Sequence, residues 1–402
     1  MSSILGSDCE IPEDIVGYWR EGLWEKLVVA QGLAPIRDGF SNRLPVGKSN
    51  DCESSMPTLT KQEAPTLRDV AAAAGVTIAT ASRSLTGAYG VHPETRKRVM
   101  ETATLLNYKP NRSARALVTG HSNVIGLVVS DVRNPYFAEV ARGAEDAAYA
   151  AGFDLLLCNS DLYADRQMRY INSLLEKRVE GIIMNSVANL SRKDQTFIVD
   201  SGVPVVLLYQ SAGGTPFSTV SADSERGGEL AAEYLLAHGH RHMMYLAGSH
   251  QHANLSKRAQ GFLQVVRRFG HKAEARVMYG THTLAGGYEI ARSLFRKLGN
   301  TTAIATANDV IAFGVIKAAI ELGVNIPRDV SLIGFDDVEL ASIVHPPLTT
   351  IRQSKYEIGG AAVDILLRLA AGKDRSPEHR VLGVELVERA SVGAPPSGRG
   401  KR

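Results

Sequence analysis

From residue 124 onward, short apolar runs alternate with stretches of helical periodicity. The apolar runs are VIGLVVS, FDLLLCNS, VEGIIMNS, VPVVLLYQ, HMMYLAG, TTAIATAN and VSLIGFDD, and between them lie stretches such as NPYFAEVARGAEDAAYAAG and DVIAFGVIKAAIELG. Near-continuous apolar strands separated by helices predict parallel sheets that are covered by helices on both faces. The alternation repeats often enough for two doubly wound sheets, and ligands in such folds bind at the carboxyl ends of the strands.

The stretch TLRDVAAAAGVTIATASRSL, which begins at Thr66, predicts two short helices and a tight turn. Thr66 and Asp69, three residues later, form a capping-box pattern at the start of the first helix. Gly75 ends this helix, and Thr77 can cap the start of the second one. A third helix, PETRKRVMETATLLNY, begins at Pro93. Two short helices joined by a glycine turn are typical of a helix-turn-helix motif, but a helical hairpin in an enzyme or a repeat protein has the same pattern.

Two further segments flank this helical module. In KPNRSARALVTGHSN, Pro110 ends the third helix and Asn111 begins a fourth helix that ends at Gly120 and is too short to be stable without a partner. Residues 1–63 show no sustained period and are expected to be a largely disordered extension. Met56 is an alternative start of the natural chain.

Composition and charge narrow the class of protein. Of the 402 residues, 44% are hydrophobic and 22% are charged, as in a soluble globular protein. The N-terminus lacks a signal pattern, no apolar run approaches the roughly 18 residues that span a membrane, and three cysteines imply no disulfide framework. A cytoplasmic location is the simplest interpretation.

The formal charge of +3 is unevenly distributed. Residues 1–63 hold 6 Lys and Arg against 10 Asp and Glu, whereas residues 64–122 hold 8 against 3. A small basic module therefore lies between an acidic extension and a nearly neutral body. A local basic excess is what a phosphate-binding domain requires, although many solvated helices carry as much charge.

The stretch LRDVAAAAGVTIATASRSL resembles the head of the lac repressor/galactose repressor family of bacterial transcription factors. The resemblance continues through YKPNRSARALVTGHSNVIGLVVSDVRNPYFAEVARG, LAAEYLLAHGHRHMMYLAG, TANDVIAFGVIKAAIELG, VSLIGFDDVELASIVHPPLTTIRQ and LGVELVERAS. It spans residues 64 to about 394. It implies a helix-turn-helix DNA-binding head with a hinge helix, followed by a two-lobed α/β domain like that of periplasmic binding proteins.

The resemblance implies roles for residues of the second helix. Ile78 and Ala79 match positions that face base edges, and as apolar side chains they can contact a thymine methyl group. Arg83 is the first choice for polar readout of a guanine edge, with a phosphate contact as the alternative. Thr80 and Ser82 can bond phosphates. The resemblance-based DNA contacts are Thr77, Ile78, Ala79, Thr80, Ser82 and Arg83 in the head and Asn111, Ala114 and Leu117 in the hinge.

The hinge roles also come from the resemblance. In the family, paired hinge helices from two subunits lie in the minor groove, and a leucine from each is wedged between base steps at a cost of a few kcal/mol. Leu117 matches that leucine, and Ala114 is expected to pack against the partner helix. The alternative for Leu117 is a core position, for which the polar neighbourhood offers little support.

The resemblance also implies an effector site between the lobes. Arg258 and Asp336 can hold vicinal hydroxyls through charge-assisted hydrogen bonds, and aromatic rings can stack on a sugar or base. The candidate effector residues are Tyr136, Phe137, Arg258, His282, Asn308 and Asp336. Tyr209 and Gln210 replace an acidic residue of many relatives, and His282 replaces an aromatic one, so the effector cannot be read by analogy.

Two other classes of protein and a metal site are the alternatives to this interpretation. A solute-binding protein would carry an export signal and no basic head. An α/β enzyme with an appended helical domain would carry a clustered acid, base or nucleophile, and no motif of that kind stands out. His238, His240 and His242 could bind a metal, but Gly239 is expected to end a helix and to separate them.

The sequence therefore predicts a transcriptional regulator, most simply a repressor and not an enzyme, without a cofactor. Its expected partners are double-stranded DNA with a near-palindromic operator, a small effector such as a carbohydrate, and a second copy of the chain. The predicted boundaries are 1–63 for the extension, 64–109 for the head, 110–122 for the hinge, 123–394 for the effector-binding domain and 395–402 for a disordered tail. Lobe 1 is expected at about 123–222 and 354–381, and lobe 2 at about 223–353 and 382–394.

Overall fold

The computed structural model describes residues 65–109, 121–185, 190–208, 215–248, 253–372 and 376–396. The chain divides into two units, Met1–Ala64 and Pro65–Arg402, and all the described residues belong to the second. The predicted extension over residues 1–63 lies outside the described residues, as do residues 110–120 of the predicted hinge and 397–402 of the predicted tail.

Three short helices form the first described part of the chain. They are α1 (Leu67–Ala73), α2 (Ile78–Thr86) and α3 (Pro93–Leu105). Their small core consists of Val70, Ala71, Ala74, Ala81, Val99 and Ala103, all buried. The sequence predicted the three helices and their start signals, but α3 ends at Leu105, earlier than the pattern up to Tyr108 suggested.

The remainder of the described chain forms two six-stranded sheets, which define lobe 1 and lobe 2. The strands of lobe 1 are β1 (Val124–Val129), β2 (Asp154–Asn159), β3 (Gly181–Met184), β4 (Val205–Leu207), β5 (Ser218–Ala222) and β11 (His379–Leu382). They lie in the order β11-β5-β4-β3-β1-β2 and are all parallel. The helices of this lobe are α4 (Pro135–Ala150), α5 (Ala164–Glu176), α6 (Arg192–Asp200) and α12 (Lys355–Ala370).

Lobe 2 is also a six-stranded sheet, but one of its strands, at the edge of the sheet, is antiparallel. Its strands are β6 (His242–Ala247), β7 (Glu274–Tyr279), β8 (Ala303–Thr306), β9 (Ser331–Asp336), β10 (Thr349–Gln353) and β12 (Val384–Val387), in the order β12-β10-β9-β8-β6-β7. Its helices are α7 (Ser224–Ala237), α8 (Ala253–Arg268), α9 (Leu284–Arg296), α10 (Asp309–Leu322) and the short α11 (Leu340–Ile343), and one 3-10 turn spans Gly270–Lys272.

The strand β12 departs from the expected parallel arrangement, because it pairs antiparallel with β10. The cause is its connection. β11 of lobe 1 and β12 of lobe 2 are separated by Gly383 alone. A chain that leaves lobe 1 at the carboxyl end of its strands reaches lobe 2 at the carboxyl ends there, so it must run against them. Parallel strands need a longer crossover.

The chain changes lobe at three places. The first change follows β5 of lobe 1, which ends at Ala222 and leads into α7 of lobe 2. The second follows β10 of lobe 2, which ends at Gln353 and leads into α12 of lobe 1. The third is at Gly383, which joins β11 of lobe 1 to β12 of lobe 2. Each change falls at the carboxyl end of a strand. The cores of the two lobes meet near these points, where Phe313 and Val384 pack against both hydrophobic clusters.

Candidate functional site

The helix pair at the start of the described chain is built from side-chain caps. Thr66 and Asp69 form a capping box, with the Thr66 backbone N–H donating to Asp69 Oδ2 at 2.8 Å. Gly75 has φ +62° in the turn, and Thr77 Oγ1 accepts the Thr80 backbone N–H at 3.1 Å to start α2. Since both helices have fewer than three turns, these caps and the shared core hold them together.

One face of α2 is buried and the other is open. Ala81 and Ser84 face the core, and Ser84 Oγ donates to the carbonyl of Thr80 at 2.7 Å. Ile78 is 47% exposed and Ala79 and Arg83 are exposed. The open face therefore presents two apolar side chains and a guanidinium, which is the composition that the sequence predicted for base contacts.

The other predicted contacts of the head lie near this face. Thr77 is exposed, while Thr80 and Ser82 are half-buried, and the hydroxyl of Thr80 lies 2.9 Å from that of Thr77. The predicted hinge contacts Asn111, Ala114 and Leu117 lie outside the described residues.

A buried ion pair forms the centre of the second candidate site. Arg258 of α8 and Asp336 at the end of β9 are 7% and 3% exposed, and Nη1 of Arg258 lies 3.5 Å from Oδ1 of Asp336. The same Nη1 donates to the carbonyl of Ala307 at 2.6 Å, and the guanidinium lies 3.7 Å from the Phe335 ring centroid. Ala307 follows β8 and Asp336 ends β9, so the pair lies at the carboxyl ends of neighbouring strands.

Burial controls the ionisation of Asp336. It raises the pKa of this carboxyl to about 6, although Arg258, Lys355 and a hydrogen bond from Gln353 at 2.5 Å all act to lower it. Asp309 is also fully buried and accepts from Thr350 Oγ1 at 2.6 Å and from the Val338 backbone at 3.0 Å. Burial and the charge of Asp336 raise the pKa of Asp309 well above its ordinary value.

Two tyrosines lie within electrostatic reach of this ion pair. Burial raises the pKa of both Tyr136 and Tyr245, and the charges of Arg258 and Asp336 act on each phenol. Tyr136 comes from the first turn of α4 in lobe 1, whereas Tyr245 comes from β6 in lobe 2. Each lobe therefore contributes a buried phenol whose ionisation is affected by the charges of this pair. Tyr245 was not predicted, because a tyrosine in an apolar run has the appearance of an ordinary core residue.

Phe137 lies beside Tyr136. Both side chains are buried in the same hydrophobic cluster of lobe 1, and their rings meet edge to face, with 5.1 Å between centroids and an angle of 85°. Asn308 is also buried, and its amide oxygen accepts the Ile311 backbone N–H at 2.9 Å as the cap of α10. The amide oxygen of Asn308 is thus engaged in the helix.

His282 lies on the segment before α9, half-buried. Its ring fills the space beside Gly248, where a Cβ would stand 1.6 Å from Cε1 of the imidazole. Gly248 directly follows β6, so His282 also lies at the carboxyl edge of the lobe 2 sheet. Arg258, His282, Asn308 and Asp336 therefore lie at or near this edge of lobe 2, and Tyr136 and Phe137 lie together in the first turn of α4 in lobe 1.

A cluster of charges holds the turn that follows Asp336. Asp336 and Asp337 have φ of +121° and +51°. Nζ of Lys355 donates to both of their carbonyl oxygens at 2.8 Å, and Asp337 accepts from Arg352 and Arg389 at 2.6 Å each. Burial raises the pKa of Asp337, but the two arginine hydrogen bonds outweigh it, so its pKa lies below the ordinary value.

The histidines weighed as metal ligands have separate partners. His240 is buried and bonds Thr302 Oγ1 at 3.0 Å and the carbonyl of Gly393 at 2.9 Å. His238 bonds the carbonyl of Tyr234, and His242 bonds Glu274.

In the described part of the chain, no helix has the length and apolar character that crossing a membrane requires.

Two family models match the chain. Residues 66–111 match the model of the lacI family of bacterial regulatory proteins, and residues 232–392 match that of a periplasmic binding protein-like domain. The catabolite control protein A of Priestia megaterium is 33% identical over 305 residues, which cover 75% of this chain and 92% of that protein.

Solved structures agree with this result. A crystal structure of the lac repressor dimer bound to operator and the anti-inducer ONPF superposes with a TM-score of 0.74 at 30% identity, covering 82% of this chain and 99% of that one. A lacI family regulator from Enterococcus faecalis V583 with bound ribose gives a TM-score of 0.61 at 32% identity, covering 68% and 99%.

Proposed function

The chain belongs to the lacI family of bacterial regulatory proteins, and from that membership we propose the specific roles of its residues. It is a DNA-binding transcriptional regulator, a repressor, whose affinity for its operator is controlled by a small effector. The relatives are regulators and not enzymes, and we propose no catalytic activity for this chain. We also propose that it works in the cytoplasm, where its operator DNA lies.

The domain roles follow from the order of the segments. Residues 64–109 are the DNA-binding head, 110–122 the hinge, and 123–394 the domain that binds the effector and a second copy of the chain. The open face of α2 enters the major groove, where Ile78 and Ala79 meet thymine methyl groups and Arg83 bonds a guanine edge. Thr77, Thr80 and Ser82 bond the backbone phosphates beside it.

The Arg258–Asp336 pair is the observation that carries the effector assignment. An effector with vicinal hydroxyls can replace the 3.5 Å contact by bridging the guanidinium and the carboxylate. Such a ligand recovers the polar contacts of two buried ions, which an apolar molecule cannot do. A carbohydrate or a related polyol has this chemistry, and the relative with bound ribose supports the same class.

The other candidate effector residues are proposed to have different roles in the site. We propose that Tyr136 closes the site from lobe 1 and that His282 forms the platform beside Gly248. Asn308 contributes through its amide nitrogen, because its oxygen caps α10. Phe137, whose ring meets that of Tyr136 edge to face, is proposed to line the effector site together with Tyr136.

The regulatory step is a linkage between the two sites. An effector that contacts both lobes favours one lobe angle, and the lobe angle sets the distance between the two hinge segments of a dimer. Since short hinge helices fold only when they are apposed, the effector biases DNA affinity through an order–disorder step. In that step we propose that Leu117 is wedged between base steps of the minor groove, that Ala114 packs against the partner hinge helix, and that Asn111 begins the hinge helix.

The experiment that tests this function begins with selection of duplexes from a random library by the wild-type chain. Fluorescence anisotropy then compares the selected duplex with a scrambled duplex of equal length and composition. We expect tighter binding of the selected duplex and a near-palindromic sequence in it. Equal affinities at moderate salt would contradict the function.

A further inference from the structure

Residues 121–124 connect the proposed hinge to β1, and Glu180, the residue before β3, holds them. Its carboxylate accepts the backbone N–H of Ser122 at 2.7 Å and that of Asn123 at 3.2 Å, and it lies 3.0 Å from Nδ1 of His121. The backbone N–H of Glu180 donates to the carbonyl of Val124 at 2.8 Å. One residue of the body therefore bonds four consecutive residues at the end of the hinge.

The Glu180 contacts are well sheltered. The side chain of Glu180 is 14% exposed, so its hydrogen bonds to backbone N–H groups are charge-assisted and only partly screened by water. The side chain of His121 on the outer side is 70% exposed. Glu180 thus binds the chain from the protein side, and the solvent lies beyond it.

The other side of the connection is fixed as well. Asn123 adopts φ +55°, which turns the chain sharply, and its carbonyl accepts the Asp154 backbone N–H of β2 at 2.9 Å. Ser122 Oγ accepts the Val124 N–H at 3.2 Å. The connection is therefore clamped between the strands on either side of β1, and its direction is set before β1 begins.

The carboxylate bonds the connection and not the paired residues of the sheet. Pairing of β1 with β2 begins at Val124, and pairing with β3 begins at Ile125, while the carboxylate of Glu180 bonds only residues that precede β1. A partly buried carboxylate that bonds the backbone of a connecting turn restricts where that turn can point.

We propose that Glu180 is a positioning residue for operator recognition, which fixes the point where the hinge leaves the body. The inference rests on the proposed function. Two hinge segments that start from fixed points meet at a defined separation, whereas loosened starting points spread that separation and lower the effective concentration of one hinge for the other. Specific binding needs the paired hinges, but non-specific binding to phosphates through the heads does not.

The test compares Glu180→Ala with Glu176→Ala in the full chain. Glu176 is the last residue of α5 and is exposed, so its substitution removes the same charge from the same region without touching the connection. Anisotropy titrations measure the affinity of each variant for the duplex selected by the wild-type chain and for the scrambled duplex. Thermal unfolding of each variant is recorded in parallel.

The expected result is that the affinity of Glu180→Ala for the selected duplex falls by about tenfold or more, because the two hinge segments then meet at a lower effective concentration. Its affinity for the scrambled duplex stays within about twofold of that of Glu176→Ala. Glu180→Asp, which keeps the charge on a shorter side chain, recovers part of the loss, and it replaces Glu180→Ala in the comparison if the latter does not fold.

Two results would overturn the inference while leaving the proposed function intact. One is equal affinity of the Glu180 and Glu176 variants for the selected duplex. The other is an equal loss on both duplexes together with a lower melting temperature, which would make Glu180 a residue of general stability. A wild-type chain that prefers no duplex would instead remove the proposed function, and the inference with it.

Discussion

Arg258 is the residue on which the chemistry of the proposed effector site depends. It is the cation that faces Asp336 inside the protein, and it also donates to Ala307 and covers Phe335. A buried pair of this kind adds little net stability, because desolvation of the two ions offsets their attraction. Removing one partner is costly, because the other charge stays buried and uncompensated.

Arg258→Met is expected to lower the free energy of unfolding by about 3 kcal/mol at pH 7.5 in urea titrations. The matched control is Arg292→Met, which breaks an exposed pair with Glu321 at 3.6 Å and is expected to cost less than about 1 kcal/mol. Similar losses in the two variants would show that the Arg258 pair is solvated. The Arg258 variant is also expected to keep the affinity for DNA and to lose the effector response.

His240 gives the fold an acid-sensitive point. Burial lowers the pKa of its imidazole to about 4, although the bond to the Gly393 carbonyl acts in the opposite direction. The unfolded chain takes up this proton near pH 6.5, so between pH 6.5 and 4 the unfolded state binds more protons than the folded state. The stability is therefore full above pH 6.5 and decreases as the pH falls towards 4.

This histidine is expected to contribute up to about 3 kcal/mol to the loss of unfolding free energy between pH 7 and pH 4. Urea titrations across that range should show a shallower pH dependence for His240→Gln than for the wild-type chain. His271→Gln, which replaces an exposed histidine, should follow the wild-type curve. A His240→Gln curve parallel to the wild-type one would contradict the assignment.

The two residues of the ion pair could be predicted from the sequence, but the side chains that surround them could not. Arg258 and Asp336 came from family motifs, each short and local. The clamp on Asp337 joins Arg352 and Arg389, which are 15 and 52 residues away along the chain. No periodicity or local motif brings such residues together, because their contact depends on where the lobe crossovers place the strands. Tyr245 was missed for the related reason that its neighbours belong to α8.

At the scale of elements, the contact between α4 and α12 is closer than side chains would permit. A Cβ on Gly143 would stand 2.0 Å from the backbone oxygen of Tyr356, and one on Gly359 would stand 2.1 Å from that of Val140. These two glycines allow the backbones of the helices to touch. The packing matters for function, because α4 carries Tyr136 and α12 carries Lys355.

Gly143→Ala is expected to destabilise the protein by about 1–3 kcal/mol, since the added methyl group forces the two helices apart. Gly360→Ala is the control on the facing helix, because a Cβ there would lie 3.7 Å from the Gly143 oxygen, an ordinary contact. That substitution should stabilise α12 by about 0.5–1 kcal/mol through its helix propensity. Denaturation curves that move in the same direction for both variants would contradict this packing.

The proposed base contact of Arg83, on the second helix of the head, leads to a separate prediction. Arg83→Ala is expected to cost about 1–3 kcal/mol on the selected duplex and to relax the preference at one base pair. Lys97→Ala removes the same charge from the exposed side of α3, and it should lower the affinity for the selected duplex and for the scrambled duplex by the same factor. If Arg83→Ala also weakens both duplexes equally, Arg83 contacts a phosphate and does not read a base.

Elements were predicted best where the signals are local. The caps at Thr66 and Thr77 and the proline at the start of α3 stand where the helices begin. The antiparallel direction of β12 was not predicted, because the direction of a strand depends on the connection before it and not on its own residues. The apolar run alone fits either direction.

At the scale of the molecule, the two lobes are joined by three crossovers, and Asp336 of the ion pair contacts one of them. Gln353 bonds Asp336 at this crossover, and Lys355 bonds the turn after Asp336 from the first residue of α12. We propose that a ligand at the ion pair acts on this crossover and so on the angle between the lobes. Such a site can transmit occupancy to the hinge through a change of lobe angle.

The most direct test of this account measures operator affinity with and without an effector. A thermal-shift screen of sugars, including ribose, identifies a ligand, because a bound ligand raises the apparent stability. Anisotropy titrations then give the affinity for the selected duplex in its absence and at saturation. We predict a change of about 5- to 150-fold on the selected duplex and none on the scrambled duplex. Unchanged operator affinity with a ligand bound at the Arg258 site would contradict the account.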